Sequence, residues 1–448
     1  MDTVAFLLKG SRDHIDQVQQ DLRALLPAQL DVGLTPLTPS RSMLPVHIVH
    51  ALQLAQPGLP PARFFELRGV AVQPLDENEA QARLVARVPE ELPTRAVARR
   101  RRVGGYDWHL QMCRVPQAWS RLGGVSNIQW KVRVGQLDTG YTKHPAFGFG
   151  GSTTPWVSVD ESRTFFLRSA GDVFPVDPSP EGMDDMMGTS AGHGTRIGSA
   201  ICGFDPKVSF YGVAPRVPLV MARVTDNVIV GHRQLEMIDG IRHLVQTARV
   251  DVINVSLGFL PPGVTLEAFK QVISEAYEAG VIIVCAAGND VAPVVVPARL
   301  NRTIAMAGVT SEEVPWHRSS YGPSVDLSAP AAGIYGASVS QGFGGLNFVY
   351  GGGGNGTSYA AAACSGAAAL WLQYRGDELA RAYSEPWQRA AAFRHLVRGT
   401  ARVPDVSING TQLWQEGSFG KGVLNVDALL QADLPPADAL ASQKDAQP

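Results

Sequence analysis

From residue 106 onward the chain alternates between short, continuously apolar runs and longer stretches of helical periodicity. The apolar runs cover residues 130–137, 217–224, 250–257, 281–286 and 303–309. Helical segments lie between them at 194–202, after a glycine-rich turn, at 233–248 and at 266–279. Strands that lack polar alternation are buried on both faces, and strands that alternate with helices build a parallel sheet covered on both sides. The expected fold is an α/β domain with a mainly parallel sheet between helical layers. In such sheets the working residues gather beyond the carboxyl ends of the strands.

The first hundred residues read differently. Val4 to Leu8 predicts a strand, and Ser11 caps a helix in which Ile15, Val18, Leu22 and Leu25 recur at helical spacing. Residues 28–45, rich in Pro, Leu, Thr and Ser, resist assignment, and residues 64–72 and 82–88 predict two further strands. Residues 1–90 therefore form a small α+β domain without a chemical motif. Residues 91–105 form a basic linker carrying Arg95, Arg99, Arg100, Arg101 and Arg102. Such a run reads as a solvated segment or as an exposed junction open to proteolysis. Residues 432–448, rich in Ala, Asp, Pro and Gln, predict a disordered tail.

Composition narrows the functional classes. At 448 residues, 45% hydrophobic and 18% charged, the chain is globular. A formal net charge of −2 gives no basic field for nucleic acid. Cys113, Cys202, Cys285 and Cys364 show no metal-ligand spacing, and Cys285 and Cys364 read as small buried hydrophobes. The amino terminus lacks a signal-peptide pattern and no apolar run reaches membrane-spanning length, so a cytoplasmic location and no membrane partner are expected.

The candidate chemistry sits where elements end. Gly351 to Gly354 reads as a loop too flexible for a regular element, whereas the alanine-rich stretch after Ser358 reads as a helix. Ser358 thus opens a helix, where unpaired N–H groups and the positive end of the dipole collect. Alone, such a serine is most often a cap. Asp138 ends an apolar run, Ser256-Leu257-Gly258 ends another and Ala286-Ala287-Gly288-Asn289 a third, while His193 in Gly192-His193-Gly194-Thr195 opens a helix. Carboxylate, imidazole and hydroxyl at one rim suit nucleophilic acyl transfer.

The segments Leu137-Asp138-Thr139-Gly140, Gly192-His193-Gly194-Thr195, Ala287-Gly288-Asn289 and Gly356-Thr357-Ser358-Tyr359-Ala360 resemble the signature blocks of the subtilisin-like serine proteases, in that family's order. His144-Pro145 and the closing stretch 420–428 fit as well, so the resemblance spans residues 106–431. It implies a three-layer subtilisin-like catalytic domain and a serine endopeptidase acting on polypeptides. Ser358 would attack the scissile carbonyl, His193 would serve as base, Asp138 would orient the imidazole, and Asn289 would donate to the oxyanion. Ser256, Leu257, Gly258, Ala287 and Gly288 would bind substrate, with 256–258 pairing to it as an added strand. The small domain would be a propeptide-like unit docked on the catalytic domain, with the basic linker as the cut site, or a permanent regulatory domain. A catalytically silent binding protein of the same fold is the competing function.

Several positions depart from the family pattern. Ala361 and Ala362 replace the usual Ser or Thr and Pro after the nucleophile, and Arg196 stands where a second His is usual. Phe259 follows Gly258, which predicts a narrowed cleft, and Val294-Val295-Val296-Pro297 aligns with the base of the specificity pocket, which predicts a shallow apolar site. The insertion at 160–187 carries Asp172, Asp177, Glu181, Asp184 and Asp185. It reads as a lid or as solvated acids, with Ca²⁺ as the one candidate ion, although its spacing matches no calcium loop. No cofactor is implied otherwise.

Overall fold

A computed structural model describes residues 3–9, 34–36, 46–52 and 71–75 through their backbone, and residues 106–441 apart from 152–153, 166–180, 231–232, 261–265, 292, 343–344, 406, 409–410 and 413. Strands β1 (Thr3–Lys9), β2 (Leu34–Pro36), β3 (Val46–Leu52) and β4 (Ala71–Leu75) form an antiparallel sheet in the order β2-β3-β1-β4. β1 covers the strand expected at 4–8, whereas β2 falls in the stretch that resisted assignment. The strand expected at 64–72 meets β4 only at Ala71 and Val72. The rest of it, the helix after Ser11, the strand at 82–88 and the basic linker lie outside the described residues.

The large domain is built on seven parallel strands. In chain order come β5 (Val134–Asp138), β6 (Arg163–Thr164), the small antiparallel pair β7 (Phe204–Asp205) and β8 (Phe210–Tyr211), then β9 (Leu219–Arg223), β10 (Val252–Val255), β11 (Ile282–Ala286), β12 (Ile304–Val309) and β13 (Leu327–Pro330). The main sheet runs β13-β12-β11-β10-β5-β9-β6, every pairing parallel. Successive side chains leave opposite faces of a strand. Val252, Ile282, Val284 and Met306 accordingly join one core, while Ile253, Ile283, Cys285 and Ala307 join another. The first core lies under the helices His193–Cys202, Thr357–Ala382 and Pro386–Gly399, the second under Gln234–Arg242 and Leu266–Glu278. The three-layer expectation holds, and all four cysteines are buried free thiols.

The Thr357–Ala382 helix runs along β10, β11, β12 and β13. Ala360, Ala361, Ala362, Ala367, Ala368 and Ala369 are wholly buried, so small side chains let the helix lie close to the sheet before Trp371 fills the far end. Without a proline after Ser358 it is one uninterrupted helix of 26 residues.

Two expectations are corrected here. The glycines before Ser358 belong to a strand: β14 (Ala332–Gly342) and β15 (Gly345–Asn355) form a long antiparallel hairpin, with register shifts near Ile334 and Gly336. Cross-strand pairing and Tyr359 packed under Gly354 order a sequence whose own propensity is weak. The segment after 431 is not a disordered tail as far as residue 441. Ala437–Leu440 forms a helical turn, Leu440 is fully buried, and Tyr383 Oη donates to the Pro435 carbonyl at 2.8 Å. Leu434 and Leu440, which pack into the core, and not overall polarity, decide the fate of that stretch. Among the described residues no helix is long and apolar enough to cross a membrane.

Candidate active site

Asp138 is the last residue of β5 and is fully buried. Its Oδ1 accepts from the Thr139 N–H at 2.7 Å and its Oδ2 from Gln136 Nε2 at 3.0 Å. Gln136 also donates to the Gly194 carbonyl at 3.1 Å, which joins the strand end to the neighbouring helix. His193 opens that helix from Gly192, whose left-handed backbone (φ 72°) turns the chain inward. The imidazole lies between two partners: Nδ1 is 2.7 Å from Asp138 Oδ1 and Nε2 is 3.3 Å from Ser358 Oγ. A carboxylate only accepts, so Nδ1 carries the proton and Nε2 presents its lone pair to the serine hydroxyl.

Asp184, from the end of the insertion, holds the same two elements together. Its Oδ2 accepts from Thr139 Oγ1 at 3.0 Å and from the Gly192 N–H at 2.7 Å, and its Oδ1 from the Met186 N–H at 2.8 Å. Thr139 Oγ1 in turn accepts from the Gly194 N–H at 3.1 Å. Burial raises the Asp184 carboxyl above its ordinary pKa, opposed by the Met186 and Gly192 N–H groups, Arg223 and Thr139. Its lone pairs already face these donors, and Asp185 pairs with Arg223 at 3.0 Å, so this donor set does not fit a calcium ion. Asp172 and Asp177 lie outside the described residues. Among the described residues no group of three or more His, Cys, Asp or Glu is arranged to hold a metal.

Ser358 is the second residue of its helix, so its N–H has no intrahelical acceptor. Asn289, just beyond β11, is oriented by Thr357: its Oδ1 accepts from the Thr357 N–H at 2.9 Å and from Thr357 Oγ1 at 3.0 Å. The amide nitrogen therefore faces the serine. A Cβ at Gly356 (φ 146°) would lie 3.6 Å from Asn289 Nδ2 and 3.7 Å from Ser358 Oγ, so the absent side chain keeps this corner open. A buried polar ladder ties β10 to the serine helix. Ser365 Oγ donates to Asn254 Oδ1 at 3.0 Å, Asn254 Nδ2 to Ser256 Oγ at 3.0 Å, and Ser256 Oγ to the Ser358 carbonyl at 3.3 Å.

The residues expected to meet substrate are placed less simply. The Ser256 carbonyl stands 3.5 Å from Ser358 Oγ, at the mouth. Leu257 turns into the core. Gly258 is already paired: its N–H donates to the Val228 carbonyl at 3.2 Å and its carbonyl accepts from the Val230 N–H at 2.9 Å. Residues 228–230 thus lie on the edge where an added strand was expected. Ala287 pairs with Val295, and the Gly288 N–H donates to Thr357 Oγ1 at 3.2 Å. The narrowing expected from Phe259 does not occur. Its ring is buried against Phe269, 5.0 Å between centroids, because its backbone pairs with Val296 and directs the side chain into the core. A polar cavity of about 840 Å³ bordered by Lys131, Asp251, Arg375 and Arg389 opens at the opposite, amino end of β5 and β10, away from this chemistry.

Sequence reasoning missed the service of Gln136 and the clasp made by Asp184. A polar residue inside the apolar run 132–137 was the available signal for the first. The second had none, because its partners are distant in sequence.

Residues 130–422 match the subtilase family, and the chain belongs to it. It is a subtilisin-like serine-type endopeptidase. It is similar to subtilisin DY of Bacillus licheniformis, 31% identical over 245 residues, which is 54% of this chain and 78% of that protein. The major intracellular serine protease of Bacillus subtilis (strain 168) is 29% identical over 299 residues, 65% of this chain and 81% of that protein. Among solved structures, a protease of Pseudoalteromonas arctica PAMC 21717 superposes with TM-score 0.55 at 22% identity, covering 73% of this chain and 96% of that one. At that identity the likeness speaks for the fold.

Proposed function

We propose that the chain cleaves polypeptides with Ser358 as nucleophile, His193 as base and then acid, Asp138 orienting the imidazole, and Asn289 with the Ser358 N–H as oxyanion donors. The observation that carries this reading is the unbroken hydrogen-bonded run from Asp138 through His193 to Ser358, at 2.7 and 3.3 Å. Ser358 Oγ bonds to the scissile carbonyl carbon while its proton passes to His193 Nε2. The carbonyl oxygen takes the negative charge within reach of Asn289 Nδ2 and the serine N–H. Collapse breaks the C–N bond, and Nε2 returns the proton to the departing amine. Water then gives a proton to the same nitrogen, attacks the acyl ester and releases the acid. The proton goes back to Ser358 Oγ.

An extended substrate pairs with Gly258 only after residues 228–230 leave that edge. The same occupied edge leaves the groove closed to long peptides in this arrangement. A fluorophosphonate probe tests the assignment of the nucleophile. Labelling of the wild type that vanishes in Ser358→Ala supports Ser358, and an unlabelled wild type or a variant that still labels overturns it. Residues 1–90 act as a propeptide-like or regulatory domain on this same site. A cut between residues 95 and 105 in the wild type and not in Ser358→Ala, read by intact mass, supports self-processing.

A further inference from the structure

Resting on the serine-nucleophile reading, we propose that Gln136 is a positioning residue for the charge of Asp138: its side-chain amide holds Oδ2, leaves Oδ1 to His193, and so shares the carboxylate's negative charge with the imidazole. Gln136 lies in the middle of β5 and is fully buried. Successive side chains leave opposite faces of a strand, so Gln136 shares with Asp138 the face that meets the His193–Cys202 helix. Its Nε2 is 3.0 Å from Asp138 Oδ2 and 3.1 Å from the Gly194 carbonyl oxygen. Both partners accept, so the amide can point only one way. Oδ1 takes the Thr139 N–H at 2.7 Å and His193 Nδ1 at 2.7 Å. Among the described residues Gln136 is the one donor to Oδ2.

Folding alone does not account for an amide in this place. Its Oε1 is buried without a hydrogen-bond partner. That oxygen rests against Gly198 of the helix, where a Cβ would lie 2.8 Å from it. An apolar side chain of the same length would strand no oxygen there. A buried polar atom left unpaired is a local conflict of the kind that marks a working site. A second buried amide stands beside it: Asn254 of β10 is its partner in register. Asn254 serves the serine end, through Ser256 and Ser365, as Gln136 serves the histidine end.

The consequence is electrostatic. A donor on Oδ2 stabilises the carboxylate before His193 takes a proton, and so weakens its pull on the imidazolium. Without that donor the charge bears more fully on Nδ1–H, and His193 keeps its proton to higher pH. The other charged groups around the pair stay as they are. They are Asp184 from the insertion, Arg196 on the same helix and Arg223, opposite Asp138 at the end of β9.

Gln136→Met keeps the length of the side chain and removes the donor. Fluorophosphonate labelling of the full chain is measured against pH. The variant's plateau rate is expected to fall about 10-fold. Its acid limb, where labelling drops by half, is expected to move up by about 0.5–1 pH unit. A slower plateau with the limb in place marks a merely structural role and overturns the assignment. A limb that moves down, or a profile identical to the wild type, overturns it as well. Should the methionine variant fold poorly, Gln136→Leu, also without a donor, repeats the measurement. Should neither fold, the wild type decides: with isotope-labelled glutamine, the side-chain amide resonances of Gln136 should shift with the midpoint of the labelling limb, and resonances that stay flat overturn the assignment. Absence of all wild-type labelling sinks the nucleophile reading itself, and this assignment with it.

Discussion

Gly194→Ala sets two physical effects against each other. Gly194 is the second residue of the His193–Cys202 helix, and its φ is not left-handed, so backbone preference alone favours alanine by about 1 kcal/mol. Packing opposes this. A Cβ there would lie 3.0 Å from the Gly140 carbonyl carbon and 3.1 Å from Gly140 N, and would overlap the Gly140 carbonyl oxygen. All three atoms are backbone in the turn that follows Asp138, so relief requires helix and turn to part by on the order of 1 Å. Overpacking of this kind costs roughly 1–3 kcal/mol, more than the propensity gain. The parting acts on the bond of 2.7 Å between His193 and Asp138 and the contact of 3.3 Å between His193 and Ser358. Misplacement of that size lowers reactivity about 10²-fold. Fluorophosphonate labelling rates and melting curves of the two proteins give the answer. The expected variant labels about 10²-fold more slowly and melts roughly 2–8 °C lower. A variant that labels at the wild-type rate and melts higher would refute the packing argument and leave propensity in charge.

Four other outcomes follow from the same geometry. Asn289→Ala should lower kcat about 10²–10³-fold with KM nearly constant, the scale known for loss of one oxyanion donor in subtilisin itself. Thr357→Val removes the hydroxyl that donates to Asn289 Oδ1 at 3.0 Å and accepts from the Gly288 N–H at 3.2 Å, so steady-state kinetics should show kcat down about 10-fold and melting curves a loss of about 1–3 kcal/mol from the stranded donor. Val230→Pro deletes the N–H donated to Gly258, and KM for an extended peptide should fall about 5-fold while that for a small ester stays put, since one hydrogen bond no longer competes. His109 is only partly exposed and its Nδ1 is buried without a partner, and burial lowers its pKa from 6.5 to about 4. The unfolded chain therefore takes up the proton first. Stability is full above the unfolded value and is lost as pH falls from 6.5 toward about 4, by up to about 1.4 kcal/mol per pH unit. Urea midpoints of the wild type should drop across that window, and His109→Gln should flatten the slope.

The parallel sheet was legible because its strands are buried on both faces and so read as unbroken apolar runs. The gathering of Asp138, His193, Asn289 and Ser358 at one rim was legible because a glycine stands within two residues of each. Gly140 is the clearest case: a Cβ there would lie 2.6 Å from Asp184 N, and its φ is 105°. What escaped depends on partners distant along the chain. Asp184 reads as one more solvated acid until Thr139 and Gly192 surround it. The β14–β15 hairpin escaped because glycine carries no strand signal, and its order comes from the facing strand. Phe259 was misjudged for a related reason: its pairing with Val296 decides which way the ring points.

The Ser358 hydroxyl sits on the first turn of the long Thr357–Ala382 helix, not on a mobile loop. Its neighbours Ala360, Ala361 and Ala362 are entirely shielded from water. Amide protons one turn further in, at Ala361 and Ala362, should therefore exchange only through global opening, and heat should abolish turnover and tertiary structure in one cooperative step. A partly melted species with a working serine has no place in such a design, so a survivor of mild denaturation is either fully competent or inert.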